Sequence, residues 1–313
     1  MSRAFVFPGQ GAQTVGMGRD LAEAYPAARA VFDEVDEALG EKLSTLIWEG
    51  AQDDLTLTEN AQPALMATSL AALRALEAEG VGLAAAAMVA GHSLGEYSAL
   101  AAAGALSVAD TARLLRIRGR AMQEAVPVGE GAMAALLGLD LAAAQAVAEE
   151  AAEGDVLQAA NDNDPGQVVV SGARAAVERA VEVAKAHGAK RAMLLPVSAP
   201  FHCALMEPAA RAMEAALADV TIVAPGVPLV ANVRAEAVSD PDTIRALLVE
   251  QVTGAVRWRE SVEYMGGAGV TEIWEIGAGK ALSGMVRRID RSIATRAVGT
   301  PADVTAAAES LQG

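Results

Sequence analysis

A Gly-X-Ser-X-Gly segment, three histidines and one arginine-rich helix are the parts of this 313-residue sequence that could do chemistry. The segment is 91-GHSLG-95, set between the apolar run AAAAMVA and the small-residue run SALAAAGAL. A serine hydroxyl attacks a carbonyl carbon only when a neighbouring base takes its proton. A sharp turn between a strand and a helix lifts such a serine out of the backbone, and flanking glycines avoid clashes. The helix that follows offers free N–H groups to a developing oxyanion. The chemistry would be acyl transfer or hydrolysis through an acyl-serine. The competing reading of Ser93 is a serine in a glycine-rich helix entry.

The base is sought among the histidines. His92 adjoins Ser93, and neighbouring side chains in such a turn point apart, so it is expected to orient the turn. His187 lies in KAHGAK at the end of a predicted helix, a surface capping position. His202 remains, in 198-SAPFHCALM-206. It is either the base for Ser93 or a satisfied core histidine. No Asp or Glu stands out as a third member, so a backbone carbonyl is expected to orient the imidazole in a Ser–His dyad.

The segment 111-TARLLRIRGRAMQ-123 reads as a helix. At about 100° per residue, Arg113, Arg116 and Arg120 fall within roughly 60° of one another. They form one basic stripe, either a solvated face or a patch for an acidic partner. Arg118 lies about 140–200° away, beside Leu114, Leu115 and Met122, and so points inward. A buried arginine must be paired. Its partner is either an internal Asp or Glu, or a substrate carboxylate, which a guanidinium fork grips through two hydrogen bonds.

The elements that must position these groups follow from pattern. Residues 4–7 read as a strand, 20–40 and 60–80 as helices, 86–90 as a buried strand and 94–103 as a helix. From 132 to 195 the order is strand, helix, strand, the turn NDNDPG, strand, helix, strand. That is the βαββαβ order of a ferredoxin-like unit. It divides the chain into a large body, residues 1–128 and 197–313, and a small inserted subdomain, residues 129–196. The strand TEIWEIG and the loop 277-GAGKALSG-284 come late in the body. That loop lacks the spacings of a nucleotide-binding loop and reads as a helix entry near the site rim.

Composition agrees with a helix-rich α/β protein: 53% of residues are hydrophobic and only 3% aromatic. The single Cys203 excludes an internal disulfide framework and fits a reducing cytoplasm. The apolar start of MSRAFVFPGQG is too short for a signal peptide. Residues 81–106 are interrupted by His92, Glu96, Tyr97 and glycines, which argues against a membrane span. A net charge of −16 argues against nucleic-acid binding and would repel an acidic partner except at a local basic patch.

The chain also resembles bacterial malonyl-CoA:acyl carrier protein transacylases, relatives of the acyltransferase domains of fatty-acid and polyketide synthases. The resemblance runs nearly end to end. It rests on 7-FPGQGAQTVGMG-18, 62-QPAL-65, 91-GHSLGEYSAL-100, 118-RGRAMQEAVPVGEGAMAA-135, 165-PGQVVVSG-172, 199-APFHCALM-206, 251-QVTGAVRW-258 and 275-EIGAGKAL-282. It implies an α/β fold: a hydrolase-like body with a short parallel sheet and helices, plus the ferredoxin-like subdomain. Ser93 would be the nucleophile, His202 the base and Arg118 the ligand of the malonyl carboxylate. Gln10 and the Leu94 N–H would form the oxyanion hole. Gln251, at the edge of the site, would orient His202 through its carbonyl. Phe201 would crowd a substituent on the acyl α-carbon, and Met122 would join the substrate-binding residues.

The activity implied is ping-pong transfer of malonyl from malonyl-CoA to the phosphopantetheine thiol of acyl carrier protein, with no bound cofactor and coenzyme A thioester as substrate. The acidic carrier would dock on basic residues drawn from Arg113, Arg116, Arg120, Lys190, Arg191, Arg287 and Arg288. The monomer is the expected state. The alternatives are a malonyltransferase serving a polyketide or malonate-decarboxylase carrier, and a serine thioesterase.

Overall fold

The computed structural model describes residues 2–312. Ten strands occur among them: β1 (Arg3–Phe7), β2 (Met88–Gly91), β3 (Gly131–Leu137), β4 (Leu157–Asp164), β5 (Gln167–Ala173), β6 (Arg191–Leu194), β7 (Leu229–Ala231), β8 (Glu236–Val238), β9 (Glu272–Ile276) and β10 (Ala294–Val298). Six form one sheet in the order β10-β9-β1-β2-β7-β8. Its pairs are parallel except β7–β8. Helices cover both faces, which explains why β1 is buried along its whole length and reads as an apolar run rather than an alternation.

Two helices carry site residues on the side of β1 and β2. Thr58–Ala78 is buried almost all round. Val108–Glu124 packs against it, and Gly119 lets them approach: a Cβ there would stand 2.5 Å from the Glu59 Cα. The helix expected over 20–40 is two helices, Arg19–Ala24 and Pro26–Leu39. Pro26 cannot continue a helix but suits the first position of a new one.

The other four strands form a separate antiparallel sheet, β4-β5-β3-β6, with helices Leu141–Ala152 and Arg174–Val183 packed on it. Alternation along β3 divides its side chains. Ala134 and Leu136 join a small core with those helices, whereas Met133 and Ala135 join the main core.

One expectation fails here. NDNDPG is not a turn throughout. β4 runs to Asp164, and only the last two residues turn. The four polar residues are buried because each finds a partner in the body. Asp162 pairs with Arg259 at 2.8 Å and Asp164 with Arg288 at 2.7 Å. His92 meets Asn163 at 2.8 Å, and Asn161 bridges the Val256 backbone. Composition favoured a turn, but paired buried polar groups made a strand. No helix among the described residues is long and apolar enough to cross a membrane.

Candidate active site

Ser93 sits where β2 ends and the helix Gly95–Ala102 begins. Its φ is 54°, a left-handed backbone that turns the chain sharply and projects Oγ. Gly95 is required because a Cβ there would lie 2.3 Å from the Phe7 carbonyl oxygen. The strand–turn–helix expected around GHSLG is therefore present.

Ser93 Oγ lies 2.7 Å from His202 Nε2. On the far side of the ring, Nδ1 faces the carbonyl oxygens of Gln251 at 2.9 Å and Gly254 at 3.1 Å. Carbonyls only accept, so Nδ1 carries the proton and Nε2 is left to accept from the serine. Burial first, then the Arg118 charge, pushes His202 down to about 3, so the ring is neutral. No carboxylate orients it, as the sequence suggested. His92 and His187 stand apart from this bond: His92 on Asn163, and His187 against Glu150 at 2.7 Å.

Arg118 is buried, as the helical wheel required, and has no Asp or Glu within ion-pair distance among the described residues. One NH2 group donates to Gln62 Oε1 at 2.7 Å. The other donates to Ser93 Oγ at 3.1 Å and Gln251 Oε1 at 2.9 Å. Its Nε is buried without a partner. The Tyr97 ring lies 5.7 Å away. An arginine held by neutral groups keeps the capacity to bind a carboxylate through its fork.

These groups open on a cleft of about 490 Å³ whose lining includes Gln10, Leu94, Met122, Phe201, Leu282 and Met285. The Gln10 and Leu94 backbone N–H groups have no acceptor within reach among the described residues, so they are free to bind an oxyanion. The Gln10 side chain accepts from Thr58 Oγ1 at 3.0 Å. The loop 277–284 does enter a helix at this rim. Its first N–H groups are taken by the buried Glu275 carboxylate, at 3.0 Å from Leu282 and 2.7 Å from Ser283. No group of three or more His, Cys, Asp or Glu side chains among the described residues could hold a metal ion.

Gln251 is fully buried behind the cleft lining, with its main-chain oxygen facing His202. One expectation needs correction. Arg116 does not belong to an exposed stripe. It is 6% exposed and bound to Glu41 and Asn60. Its stripe neighbours are paired as well, Arg113 with Asp110 and Arg120 with Glu59. Lys190, Arg191, Arg287 and Arg288 are exposed. Sequence reasoning missed Gln62, Glu96 and Asn232. Gln62 and Glu96 left signals, the one opening the motif QPAL and the other as a lone charge in an otherwise apolar helix.

Residues 4–276 match the family described as the acyl transferase domain. The malonyl CoA-acyl carrier protein transacylase of Escherichia coli (strain K12) is 49% identical over 306 residues, which are 98% of each chain. The crystal structure of an acyl-carrier-protein S-malonyltransferase from Bartonella henselae superposes with a TM-score of 0.97 at 58% identity, covering 100% of both chains. A malonyl-transacylase solved in complex with its type II PKS acyl-carrier protein gives 0.96 at 42% identity, covering 99% of this chain and 100% of its own. With matches of this extent, the chain belongs to the acyl transferase family, among its malonyl CoA-acyl carrier protein transacylases.

Proposed function

We propose that this protein moves a malonyl group from malonyl-CoA to the phosphopantetheine thiol of an acyl carrier protein. The observation that carries the reading is the buried Arg118 fork, without a carboxylate of its own, 3.1 Å from Ser93 Oγ. His202 Nε2 takes the Ser93 proton as Oγ bonds to the thioester carbon. The oxyanion is held by the N–H groups of Gln10 and Leu94. The C–S bond breaks, the sulfur of coenzyme A takes the proton from His202, and malonyl-Ser93 remains. The carrier thiol then gives its proton to His202, attacks the ester, and returns Ser93 to its starting state. No cofactor enters these steps.

Arg118 holds the malonyl carboxylate, and Gln251 orients both Arg118 and His202. Phe201 and Met122, both buried against the cleft, limit substituents on the acyl α-carbon. The strand order of the antiparallel sheet supports reading residues 129–196 as a ferredoxin-like subdomain inserted into a hydrolase-like body, residues 1–128 and 197–313. An acidic carrier docks on Lys190, Arg191, Arg287 and Arg288. Leu282 and Met285, on the helix that carries the last two, line the cleft.

Purified protein mixed with malonyl-CoA alone tests the core of this reading. It should gain the mass of one malonyl group within seconds, and Ser93→Ala should not. Rapid release of free malonate without an adduct would mean a thioesterase. The relative solved with a type II PKS carrier favours one second reading, a polyketide carrier as recipient. Competing fatty-acid and polyketide carriers for the acylated protein would decide between them.

A further inference from the structure

Glu96 stands in the first turn of the helix Gly95–Ala102, whose residues are all buried. It is 1% exposed and makes no ion pair among the described residues. A carboxylate so placed is costly and is kept only where its oxygens are used. Two donors meet at one of them. Oε2 accepts the Asn232 backbone N–H at 3.1 Å and the Gln251 Nε2–H at 2.7 Å.

Both partners hold the Ser93 turn. Asn232 Oδ1 accepts from the Ser93 N–H at 2.8 Å, and Asn232 Nδ2 donates to the Gly91 oxygen at 2.6 Å. Gln251 Nε2 donates to the Ser93 oxygen at 3.0 Å. Gln251 also meets the other two members of the site: His202 through its main-chain oxygen and Arg118 through Oε1. The two ends of an amide differ only in what they can donate or accept. Arg118 can only donate and needs the oxygen end. The Ser93 carbonyl can only accept and needs the nitrogen end.

We infer that Glu96 is a positioning residue for acyl transfer: by accepting from Asn232 and Gln251 together, it fixes the Ser93 turn and aims Gln251 Oε1 at Arg118, so that the guanidinium fork faces the acyl carboxylate. The inference rests on the roles proposed above for Ser93 and Arg118. Without an acceptor at this point the nitrogen end of Gln251 keeps the Ser93 oxygen but loses its shortest bond, and the amide is held less firmly against the guanidinium. The fork then moves off line. The loss is selective, because a carboxylate-bearing acyl group needs the fork and a neutral one does not.

Two variants separate reach from charge. Glu96→Gln keeps the length, and its oxygen can accept both donors, since turning it over would set NH2 against two N–H groups. Glu96→Asp keeps the charge but is one methylene too short. Rates of Ser93 acylation by malonyl-CoA and by acetyl-CoA would be read by rapid quench and intact mass, with thermal melting as the check on folding. Glu96→Gln should stay within about threefold of the wild type. Glu96→Asp should lose about tenfold with malonyl-CoA and much less with acetyl-CoA, the scale of one lost hydrogen bond to a charged group.

Gln251→Met, which keeps the main-chain carbonyl, should lower the malonyl-to-acetyl ratio similarly, and adding Glu96→Asp to it should lower that ratio no further. Equal losses with both acyl groups, additive losses in the double variant, or a defective Glu96→Gln beside a normal Glu96→Asp would each overturn the inference. A wild type that forms no malonyl adduct in the same run would instead overturn the functional reading beneath it.

Discussion

Ser93 and His202 meet at 2.7 Å, and both have left-handed backbones, with φ of 54° and 58°. Only two other non-glycine residues among those described share that conformation. It costs about 1–2 kcal/mol per residue, so strain is concentrated at one hydrogen bond. Ser93→Ala and Ser93→Gly should both abolish the acyl adduct. Glycine should be the more stable of the two by about 1 kcal/mol in urea unfolding, because it accepts this φ freely. Equal midpoints would show that the turn carries no strain. His202→Ala should slow acylation by about 10²–10⁴-fold, the range for a general base.

Arg118 has neutral partners only, which makes its truncation informative. Arg118→Ala should cost malonyl acylation about 10–100-fold, equivalent to roughly 1.5–3 kcal/mol for hydrogen bonds to a charged group. Acylation by acetyl-CoA should rise at the same time. Arg118→Lys keeps the charge without the fork and should recover little. A parallel fall with both acyl groups would make Arg118 structural.

His202 and Glu96 are displaced in opposite directions. Burial and Arg118 push His202 down to about 3, while burial pushes Glu96 up to about 7 against the Gln251 amide, the Asn232 N–H and Arg118. His92, itself lowered by burial, adds slightly to the depression of His202. Between about pH 4.5 and 6.5 the unfolded chain carries its proton on His202, and the folded chain carries one on Glu96. The counts match, so the two together add no pH slope to stability.

Glu96→Gln removes one half of that balance. The unfolded variant then binds one proton more than the folded one, so stability falls as pH drops from about 6.5 toward 4.5. Relative to wild type the slope should reach about 1.4 kcal/mol per pH unit. Urea titrations at pH 7 and pH 5 measure it, and identical slopes would refute the assignment. For the same reason, acylation kcat/KM should show no acid limb at the ordinary histidine value.

Charge reversal separates docking from chemistry. Arg191→Glu combined with Arg287→Glu should reduce kcat/KM for the carrier about tenfold, more at low salt, and leave acylation by malonyl-CoA unchanged. Arg116→Glu should instead lower the melting temperature, because it sets a new carboxylate against Glu41 and Glu59. A carrier defect in Arg116→Glu at unchanged stability would reopen the Val108–Glu124 face as the dock.

Local sequence announced whatever local sequence determines. The turn at Ser93 was legible because glycines at 91 and 95 have no substitute there. Arg118 was legible because its neighbours on the wheel are apolar. Arg116 was misread because a wheel shows which residues share a face but not that Glu41 and Asn60, from distant segments, cover it. Asn161–Asp164 were misread because their partners lie 71 to 124 positions away in His92, Arg259 and Arg288. Gln62 and Glu96 lie inside quoted motifs and Asn232 lies outside them, but what joins the three is tertiary contact, which no spacing displays.

The imidazole of His202 rests on one carbonyl in the last turn of the helix Pro241–Thr253, that of Gln251, and on the Gly254 carbonyl just beyond it. That end of a helix is its negative pole and favours the imidazolium of the proposed mechanism. The consequence is evolutionary. Every amino acid brings the same carbonyl, so no single codon change can delete the group that sets the tautomer, and no acid can protonate it away in the working range. A side-chain carboxylate in that place would be one mutation from loss. Inheritance of this base therefore depends on keeping a helix end in place, and the residue at 251 is left to be selected for its amide alone.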